Sequence, residues 1–181
     1  MLLRLIDDIM VISAMDSNGL VIRPEDCDFV NAFDNMCQSL AQRVENPNVQ
    51  FIKDNPYKVL KTKLDVGRVM QVITNFVTNA VKYTQQGHIK VGYRLQDEGI
   101  YIYCEDTGIG IPEGQCPKIF ERFVKLNEFI QGTGLGLTIC KAIAERCHGK
   151  IGVDSEVGKG STFWAWIPCA INHSELIDQS I

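Results

Sequence analysis

Three polar side chains, Asn75, Asn79 and Lys82, recur at helical spacing in a segment that is otherwise mostly apolar. Positions 75 and 79 are one helical turn apart and position 82 follows three residues later, so all three share a face about 120° from the apolar stripe. An amide oxygen is a hard ligand suited to Mg²⁺, and a neighbouring lysine can meet a phosphate as a point charge. The face can therefore hold a metal-bound phosphate, although a solvated polar face has the same pattern.

A second candidate is Asp106, which follows an apolar run at residues 100–104 and precedes glycines at 108 and 110. An acceptor at the end of a strand can read an exocyclic amine, and closely spaced glycines let a flat ligand approach the backbone. A simple strand-ending Asp-Gly turn is the alternative interpretation.

The third candidate is the glycine-rich segment Gly132-Thr133-Gly134-Leu135-Gly136-Leu137, which leads directly into a predicted helix. Backbone N–H groups and the positive end of a helix dipole would then lie where phosphates could bind. The segment lacks the Gly-Lys-Ser/Thr ending of a P-loop and misses the Gly-x-Gly-x-x-Gly spacing of dinucleotide folds. Taken alone, it is weak evidence for a phosphate site.

The amino-acid composition limits the classes of function that the chain can have. With 181 residues, 45% hydrophobic and 22% charged, the chain is typical of one soluble globular domain with extensions. The net charge of -4 gives no bulk attraction for nucleic acid or an anionic membrane surface, so a phosphate site must be local. Seven scattered cysteines without Cys-x-x-Cys spacing favour reduced thiols, and no segment near the start is apolar enough for a signal peptide.

Hydrophobic periodicity predicts the elements that must position these candidates. An apolar stripe at residues 2–10 and a second one from Val30 to Val44 predict helices, and two further helices are predicted at 65–83 and 133–148. Strands are predicted at 49–52, 57–63, 88–95, 100–105, 150–154 and 161–167. The alternation around Trp164 and Trp166 predicts a strand covered on both sides.

The ordered set of motifs, completed by Phe120-Glu121-Arg122-Phe123 and Gly158-Lys159-Gly160-Ser161-Thr162, resembles the ATP-binding catalytic domain of sensor histidine kinases. In that family the pieces are called the N, G1, F and G2 boxes. The resemblance implies an α+β fold, a two-layer α/β sandwich of the Bergerat type with helices on one face of a mixed, mostly antiparallel sheet. It runs from about residue 16 to 168.

The resemblance also implies roles for individual residues, with ATP and Mg²⁺ as cofactors. Asn79 would ligate Mg²⁺, and Asn75, Arg122 and Lys125 would serve catalysis. Residues 112–132 would form a mobile lid that Phe120 and Phe123 pin down by packing. The implied ATP-binding residues are Asn75, Asn79, Lys82, Tyr83, Asp106, Gly108, Gly110, Ile111, Gly132, Thr133, Gly134, Leu135, Gly136, Leu137 and Thr162, the last of which would support Asp106 from the neighbouring strand.

Histidine kinases transfer the terminal phosphoryl group of ATP to a histidine in a separate dimerisation domain, normally within His-Glu/Asp-x-x-x-Pro. None of the three histidines here has that context, so we expect no self-phosphorylation. We expect residues 1–15 to be a remnant of the second dimerisation helix, 16–169 the catalytic domain and 170–181 a frayed or truncated tail. The expected partners are the dimerisation domain and, indirectly, a response regulator receiver domain, with a monomeric, cytoplasmic fragment whose parent could be membrane-anchored.

Two other classes remain open at this stage. Superfamily ATPases such as gyrase-like proteins would want a glutamate on the helix that here carries Asn75 and Asn79, because an amide cannot accept a proton as a carboxylate does. A non-catalytic docking module would keep the fold without phosphoryl transfer. The intact Asn79, Asp106 and glycine-rich segment argue against that second class.

Overall fold

The computed structural model describes residue 13 and residues 19–124 and 133–179. This part of the chain has ten strands and three α-helices, α1 (Phe29–Ala41), α2 (Val66–Tyr83) and α3 (Gly136–Arg146). The strands are β1 (Glu25–Asp28), β2 (Val49–Asp54), β3 (Tyr57–Val59), β4 (Lys61–Leu64), β5 (Gly87–Gln96), β6 (Gly99–Asp106), β7 (Lys150–Glu156), β8 (Gly160–Pro168), β9 (Ala170–Ile171) and β10 (Ile177–Asp178).

The main sheet has five strands in the order β2-β5-β6-β8-β7. Strands β2 and β5 pair in parallel, and the other neighbours pair antiparallel. The predicted α+β fold with a mixed, mostly antiparallel sheet is therefore confirmed. Two smaller sheets, β1-β4-β9 and β10-β3, lie beside it.

Local sequence fixes where the first two helices begin. The Asp28 side chain accepts a hydrogen bond from the N–H of Asn31 at the start of α1, and the Asp65 side chain accepts one from the N–H of Arg68 at the start of α2. The apolar stripe predicted for α2 is buried throughout, at Val69, Val72, Ile73, Phe76, Val77 and Ala80. Burial of this face orients the helix and leaves the polar face that carries Asn79 and Lys82 outside the core.

The core lies between these helices and one face of the main sheet. Strand β6 shows the alternation clearly, since Ile100, Ile102 and Cys104 are fully buried and the intervening tyrosines are not. Each buried isoleucine contributes roughly 1.5–3 kcal/mol to folding. Because Asp106 has the same parity as these residues, the strand delivers its carboxylate to the helix side of the sheet.

The opposite face of the sheet carries half-buried aromatic side chains. Trp164 stacks on Tyr101 with ring centroids 5.8 Å apart, and the Arg94 guanidinium lies 4.3 Å from the Tyr101 ring centroid. Trp164 and Trp166 are half-buried, whereas Phe163 and Ala165 between them are buried. Both faces of β8 are thus covered, as predicted, with neighbouring rings shielding the second face in part.

The C-terminal segment pairs with other strands. β9 pairs with β4 and β10 pairs with β3, so the expectation of a frayed tail is wrong for residues 170–178. At the other end, the helical stripe predicted at residues 2–10 and the linker predicted near residues 15–20 lie largely outside the described residues. No helix in the described part of the chain combines the length and the apolar character needed to cross a membrane.

Candidate functional site

The buried carboxylate of Asp106 is the most unusual polar group at the end of β6. Its side chain accepts a hydrogen bond from the N–H of Gly108 at 2.8 Å, and the residue is only 5% exposed. Burial raises its pKa to about 6, against the opposing effect of hydrogen bonds from the backbone N–H groups of Gly108 and Ser161. A carboxylate has about four acceptor positions, so Asp106 retains capacity for a donor from a ligand.

The loop after Asp106 lies tightly against two other elements. The N–H of Ile109 donates to the Tyr83 carbonyl at 3.3 Å, and Gly108 leaves no space for a side chain beside the same carbonyl. Gly110 has a φ of +70°, and a Cβ there would lie 2.1 Å from the Glu156 carbonyl oxygen. Only glycine satisfies both conditions, so the loop is held between the end of α2 and the β7–β8 turn.

The strand beside Asp106 presents Ser161 to it. In the register of β6 and β8, Asp106 pairs with Ser161, and Glu105 pairs with Thr162. Ser161 is 7% exposed and shares the helix side of the sheet with Phe163 and Ala165. Thr162 therefore has the opposite parity from Asp106, and its assignment as an ATP-binding residue stays a prediction that this register does not favour.

Asn75 connects α2 to the start of α3. Its Nδ2 donates to the Gly136 carbonyl at 3.1 Å, and the residue is 6% exposed. Further along the same helix, Asn79 is half-buried and Lys82 is exposed. Tyr83 is half-buried, and burial raises the pKa of its hydroxyl. The predicted polar face thus exists, with its first member buried against the glycine-rich segment.

The start of α3 has backbone donors without a side-chain cap. Leu135 occupies the N-cap position and provides no side-chain hydrogen bond, while Thr133 Oγ1 accepts from the N–H of Leu135 at 3.3 Å. The first N–H groups of any α-helix have no partner within the helix. The N–H groups of Gly136 and Leu137 belong to this first turn, where an anion would be stabilised by the helix dipole.

The segment between the loop and α3 is described up to residue 124. Phe120 is buried, but Phe123 is 71% exposed and has a φ of +63°. The expectation that Phe123 pins this segment by packing is therefore wrong in this structure. Its backbone is held instead, because the N–H of Phe123 donates to the Gly134 carbonyl at 3.1 Å.

Arg122 is exposed and adjoins this turn. Lys125 and Gly132, which were also predicted for the site, lie outside the described residues.

Two site residues were missed from the sequence, Ser155 and Ser161. The N–H of Ile111 donates to Ser155 Oγ at 2.8 Å, and the two serine hydroxyl oxygens are 2.9 Å apart. The alternation of β8 could have identified Ser161, because it shares the parity of the buried Phe163. Ser155 follows Asp154 in an edge strand and had no comparable signal.

The donor set fits a nucleotide at this end of the sheet. A buried acceptor at Asp106, glycines that permit close approach and an uncapped helix start suit a base at one end and phosphates at the other. Among the described residues, no group of three or more His, Cys, Asp or Glu side chains could hold a metal ion. A divalent cation bound to the phosphates would take further oxygen ligands, which an amide such as that of Asn79 can provide.

Comparison with known proteins places this geometry in context. Residues 64–171 match the family described as histidine kinase-, DNA gyrase B-, and HSP90-like ATPase. The chain is 34% identical over 178 residues to the sensor protein kinase WalK of Staphylococcus aureus strain MRSA252, a match that covers 94% of this chain and 29% of the relative. The chain thus spans less than half the length of these curated relatives, 29% of one and 42% of another.

Two solved structures agree with the described fold. Full-length ShkA in complex with AMPPNP matches with a TM-score of 0.85 and 26% identity, covering 94% of this chain and 36% of that one. The catalytic domain of the histidine kinase ThkA matches with a TM-score of 0.70 and 27% identity, covering 80% of this chain and 95% of that one.

Proposed function

The chain belongs to the histidine kinase-, DNA gyrase B-, and HSP90-like ATPase family, and we propose that it binds Mg-ATP and transfers the terminal phosphoryl group to a histidine of a separate dimerisation domain. The observation that carries this proposal is the buried Asp106 carboxylate beside a loop that only glycine can form. The catalytic unit would span residues 16–169. The parent protein would be a sensor kinase that signals to a response regulator from the cytoplasmic side.

At the base end, Asp106 accepts a hydrogen bond from the adenine amino group. Gly108 and Gly110 keep the loop close to the strand end, so the flat base lies against backbone atoms. A purine with an oxo group in place of the amine would present an acceptor to a buried acceptor and be rejected. The base end therefore selects adenine.

At the phosphate end, the N–H groups at the start of α3 orient the phosphates, with Thr133 and Gly134 shaping the approach. The positive charges of Lys82, Arg122 and Lys125 stabilise charge on the phosphates, and Asn79 provides an oxygen ligand for Mg²⁺. When bound, ATP would supply the phosphoryl group, and Mg²⁺ would neutralise part of the charge on the phosphates. These residues position the phosphates and stabilise their charge, which is what phosphoryl transfer chiefly requires.

Asn75 favours transfer to an incoming imidazole over hydrolysis. Its amide cannot accept a proton, and its Nδ2 already donates to the Gly136 carbonyl. A steady ATPase of this family would need a carboxylate base at such a position to activate water. Asn75 therefore acts by fixing the glycine-rich segment against α2.

The acceptor histidine is expected outside this chain. Of the three histidines, His88 pairs with Glu105 at 2.9 Å and His173 lies 3.6 Å from Glu98. His148 occupies the left-handed region with φ of +58° just after α3. None occurs within a His-Glu/Asp-x-x-x-Pro sequence.

The first test is a calorimetric titration with a non-hydrolysable ATP analogue, with and without Mg²⁺. We expect metal-enhanced binding by the unmodified chain, much weaker binding in Asp106→Asn, and binding that no longer depends on Mg²⁺ in Asn79→Ala. No binding by the unmodified chain would favour a docking module, and unchanged binding in both variants would overturn the site assignment.

The second test adds a histidine-containing dimerisation domain and radiolabelled ATP. An acid-labile phosphoryl group on that domain, absent when its histidine is replaced, is the expected result. Steady release of inorganic phosphate without transfer would instead indicate an ATPase.

A further inference from the structure

The hydroxyl of Ser155 on β7 links both walls of the proposed base pocket. It accepts the N–H of Ile111 at 2.8 Å, donates to the Gly160 carbonyl at 3.0 Å and lies 2.9 Å from Ser161 Oγ. A serine hydroxyl has one donor and two acceptor positions. With Ser161 donating, all three positions of Ser155 Oγ are satisfied by two separate segments.

We propose that Ser155 is a positioning residue for adenine recognition, an inference that rests on the proposed nucleotide function. It would act without touching the nucleotide, by fixing the loop of residues 108–111 relative to the Asp106 carboxylate. The Asp106 carboxylate accepts from the N–H groups of Gly108 and Ser161, and Ser155 gives the same loop and β8 a second connection through its hydroxyl.

The Ser155 hydroxyl first holds the loop of residues 108–111. Ile111 is 2% exposed, so its N–H would be left without a partner if the Ser155 hydroxyl were removed. A buried donor without a partner is costly, and the backbone would move to regain one. Ile111 directly follows Gly110, whose fit against Glu156 leaves no free space. Movement at Ile111 would therefore shift the loop backbone against which the base is proposed to lie.

The Ser155 hydroxyl also holds the part of β8 that lies beside Asp106. Ser161 pairs with Asp106 across the sheet, and its backbone N–H is one of the donors that favour the charged carboxylate. Gly160 lies so close to the Asp106 carbonyl that no side chain would fit, with φ of +119°. Because Ser155 Oγ contacts both Gly160 and Ser161, it holds the segment against which Asp106 is oriented.

The test compares the 181-residue chain with Ser155→Ala and Ser155→Thr by calorimetry. The probes are Mg-ADP and the Mg-diphosphate of purine riboside, which lacks the 6-amino group. We expect Ser155→Ala to bind ADP about tenfold more weakly and to lose most of the preference for ADP over the analogue, because the carboxylate is no longer aligned with the amine. Ser155→Thr retains a hydroxyl and should restore both.

Ser174→Ala is the matched control, since it removes a serine hydroxyl that bonds Asn172 in the C-terminal segment and not in the main sheet. It should leave both affinities unchanged. A Ser155→Ala variant that binds both probes with an unchanged ratio would overturn the positioning role, including one in which both affinities fall equally. An unmodified chain that binds neither probe would instead overturn the proposed function itself.

Amide hydrogen exchange without ligand gives an independent readout. In Ser155→Ala, we expect faster exchange at Ile111 and little change at the N–H groups of α2. Unchanged exchange at Ile111 would contradict the inference, whereas uniformly faster exchange would indicate a general loss of stability and also overturn it.

Discussion

A buried carboxylate such as Asp106 lowers the stability of the unliganded fold, because its charge is removed from water. Its pKa of about 6, compared with an ordinary value of 3.8, means that the folded state disfavours the ionised form. The unfolded chain releases this proton near pH 4 and the folded chain near pH 6. Stability from this group is therefore greatest below pH 4, falls as the pH rises to 6, and is lowest above it.

This linkage predicts that Asp106→Asn stabilises the protein while weakening its nucleotide binding. The asparagine oxygen can still accept from the Gly108 N–H without carrying charge. Above pH 6 the unfolding free energy should rise by up to about 3 kcal/mol, since one pKa unit corresponds to about 1.36 kcal/mol. Thermal unfolding at pH 7.5 and 4.5 checks this, and the gain should shrink at the lower pH. An equal gain at both values would contradict the assigned titration.

Nucleotide binding should show the opposite pH dependence. Binding an amine requires the ionised carboxylate, so affinity for ADP should fall as the pH is lowered through 6, approaching about tenfold per pH unit below the pKa. His88 and Glu105, which pair with each other beside this strand end, are also ionisable, so the experiment needs a control for them. The residual binding of Asp106→Asn supplies it, because the inflection near pH 6 should be absent there. A matching inflection in the variant would assign the effect to those neighbours.

Side-chain parity explains which site residues sequence reasoning could identify. Asp106, Asn75 and the glycines were predictable because each belongs to a local motif or a helical period. Ser161 was predictable in principle, yet Thr162 was selected, and a one-residue difference reverses the face of a strand. Ser155 depends on the register between two strands and on a loop 44 residues away in sequence, so no local pattern indicates it.

At the level of elements, the loop between β6 and the short 3₁₀-helix at Glu113–Gln115 depends on backbone conformations that only glycine tolerates. Three glycines near this region differ in whether they have positive φ and in whether a Cβ would meet other atoms. Gly110 has positive φ and a blocked Cβ position, Gly158 has φ of +81° with open space, and Gly114 has open space without positive φ. Their alanine variants therefore form a graded series.

We expect Gly110→Ala to lower the unfolding free energy by about 3 kcal/mol or more, because strain and overlap with Glu156 add. Gly158→Ala should cost about 1 kcal/mol for backbone strain alone. Gly114→Ala should be neutral or slightly stabilising. Denaturant titration of the three variants measures the order. If Gly110→Ala cost no more than Gly158→Ala, the loop would not be confined as described.

The helices were more predictable than the short strands for a physical reason. The helix predicted at 65–83 differs from α2 by one residue, because its apolar period and N-cap are local signals. β1 and β9 are short, and β1 is largely polar. They form because β4 lies between them and pairs with both. The pairing of β4 with β9 joins segments more than 100 residues apart. Such strands have no periodicity of their own to reveal them.

At the level of the whole molecule, the C-terminal segment binds to β3, β4 and the residues beside them, away from the proposed nucleotide site. Thr62 Oγ1 donates to the Ala170 carbonyl at 2.7 Å, and Lys61 pairs with Glu175 at 2.6 Å. The N–H of Gln179 donates to the Pro56 carbonyl at 2.8 Å. The C-terminal segment thus covers β3 and β4, whereas Asp106 lies in the main sheet.

Truncation separates these two regions. Ending the chain after Cys169 removes β9, β10 and the apolar contacts of Ile171 and Leu176 with the core. We expect this to lower the unfolding free energy by several kcal/mol, on the order of 2–4, from lost burial and hydrogen bonds. Ending it after Ile171 keeps β9 and should cost roughly half as much.

Nucleotide affinity of the folded fraction should be the same in the full chain and both truncated chains, because the C-terminal segment forms its hydrogen bonds to Pro56, Tyr57, Lys61 and Thr62, away from Asp106. Denaturant titration measures the stability of each chain, and calorimetry with Mg-ADP at a temperature where all are folded measures the affinity. A loss of affinity that parallels the loss of stability would show that the C-terminal strands maintain the main sheet as well as covering β3 and β4. Unequal stability with equal affinity would establish that the segment stabilises the fold independently of the site.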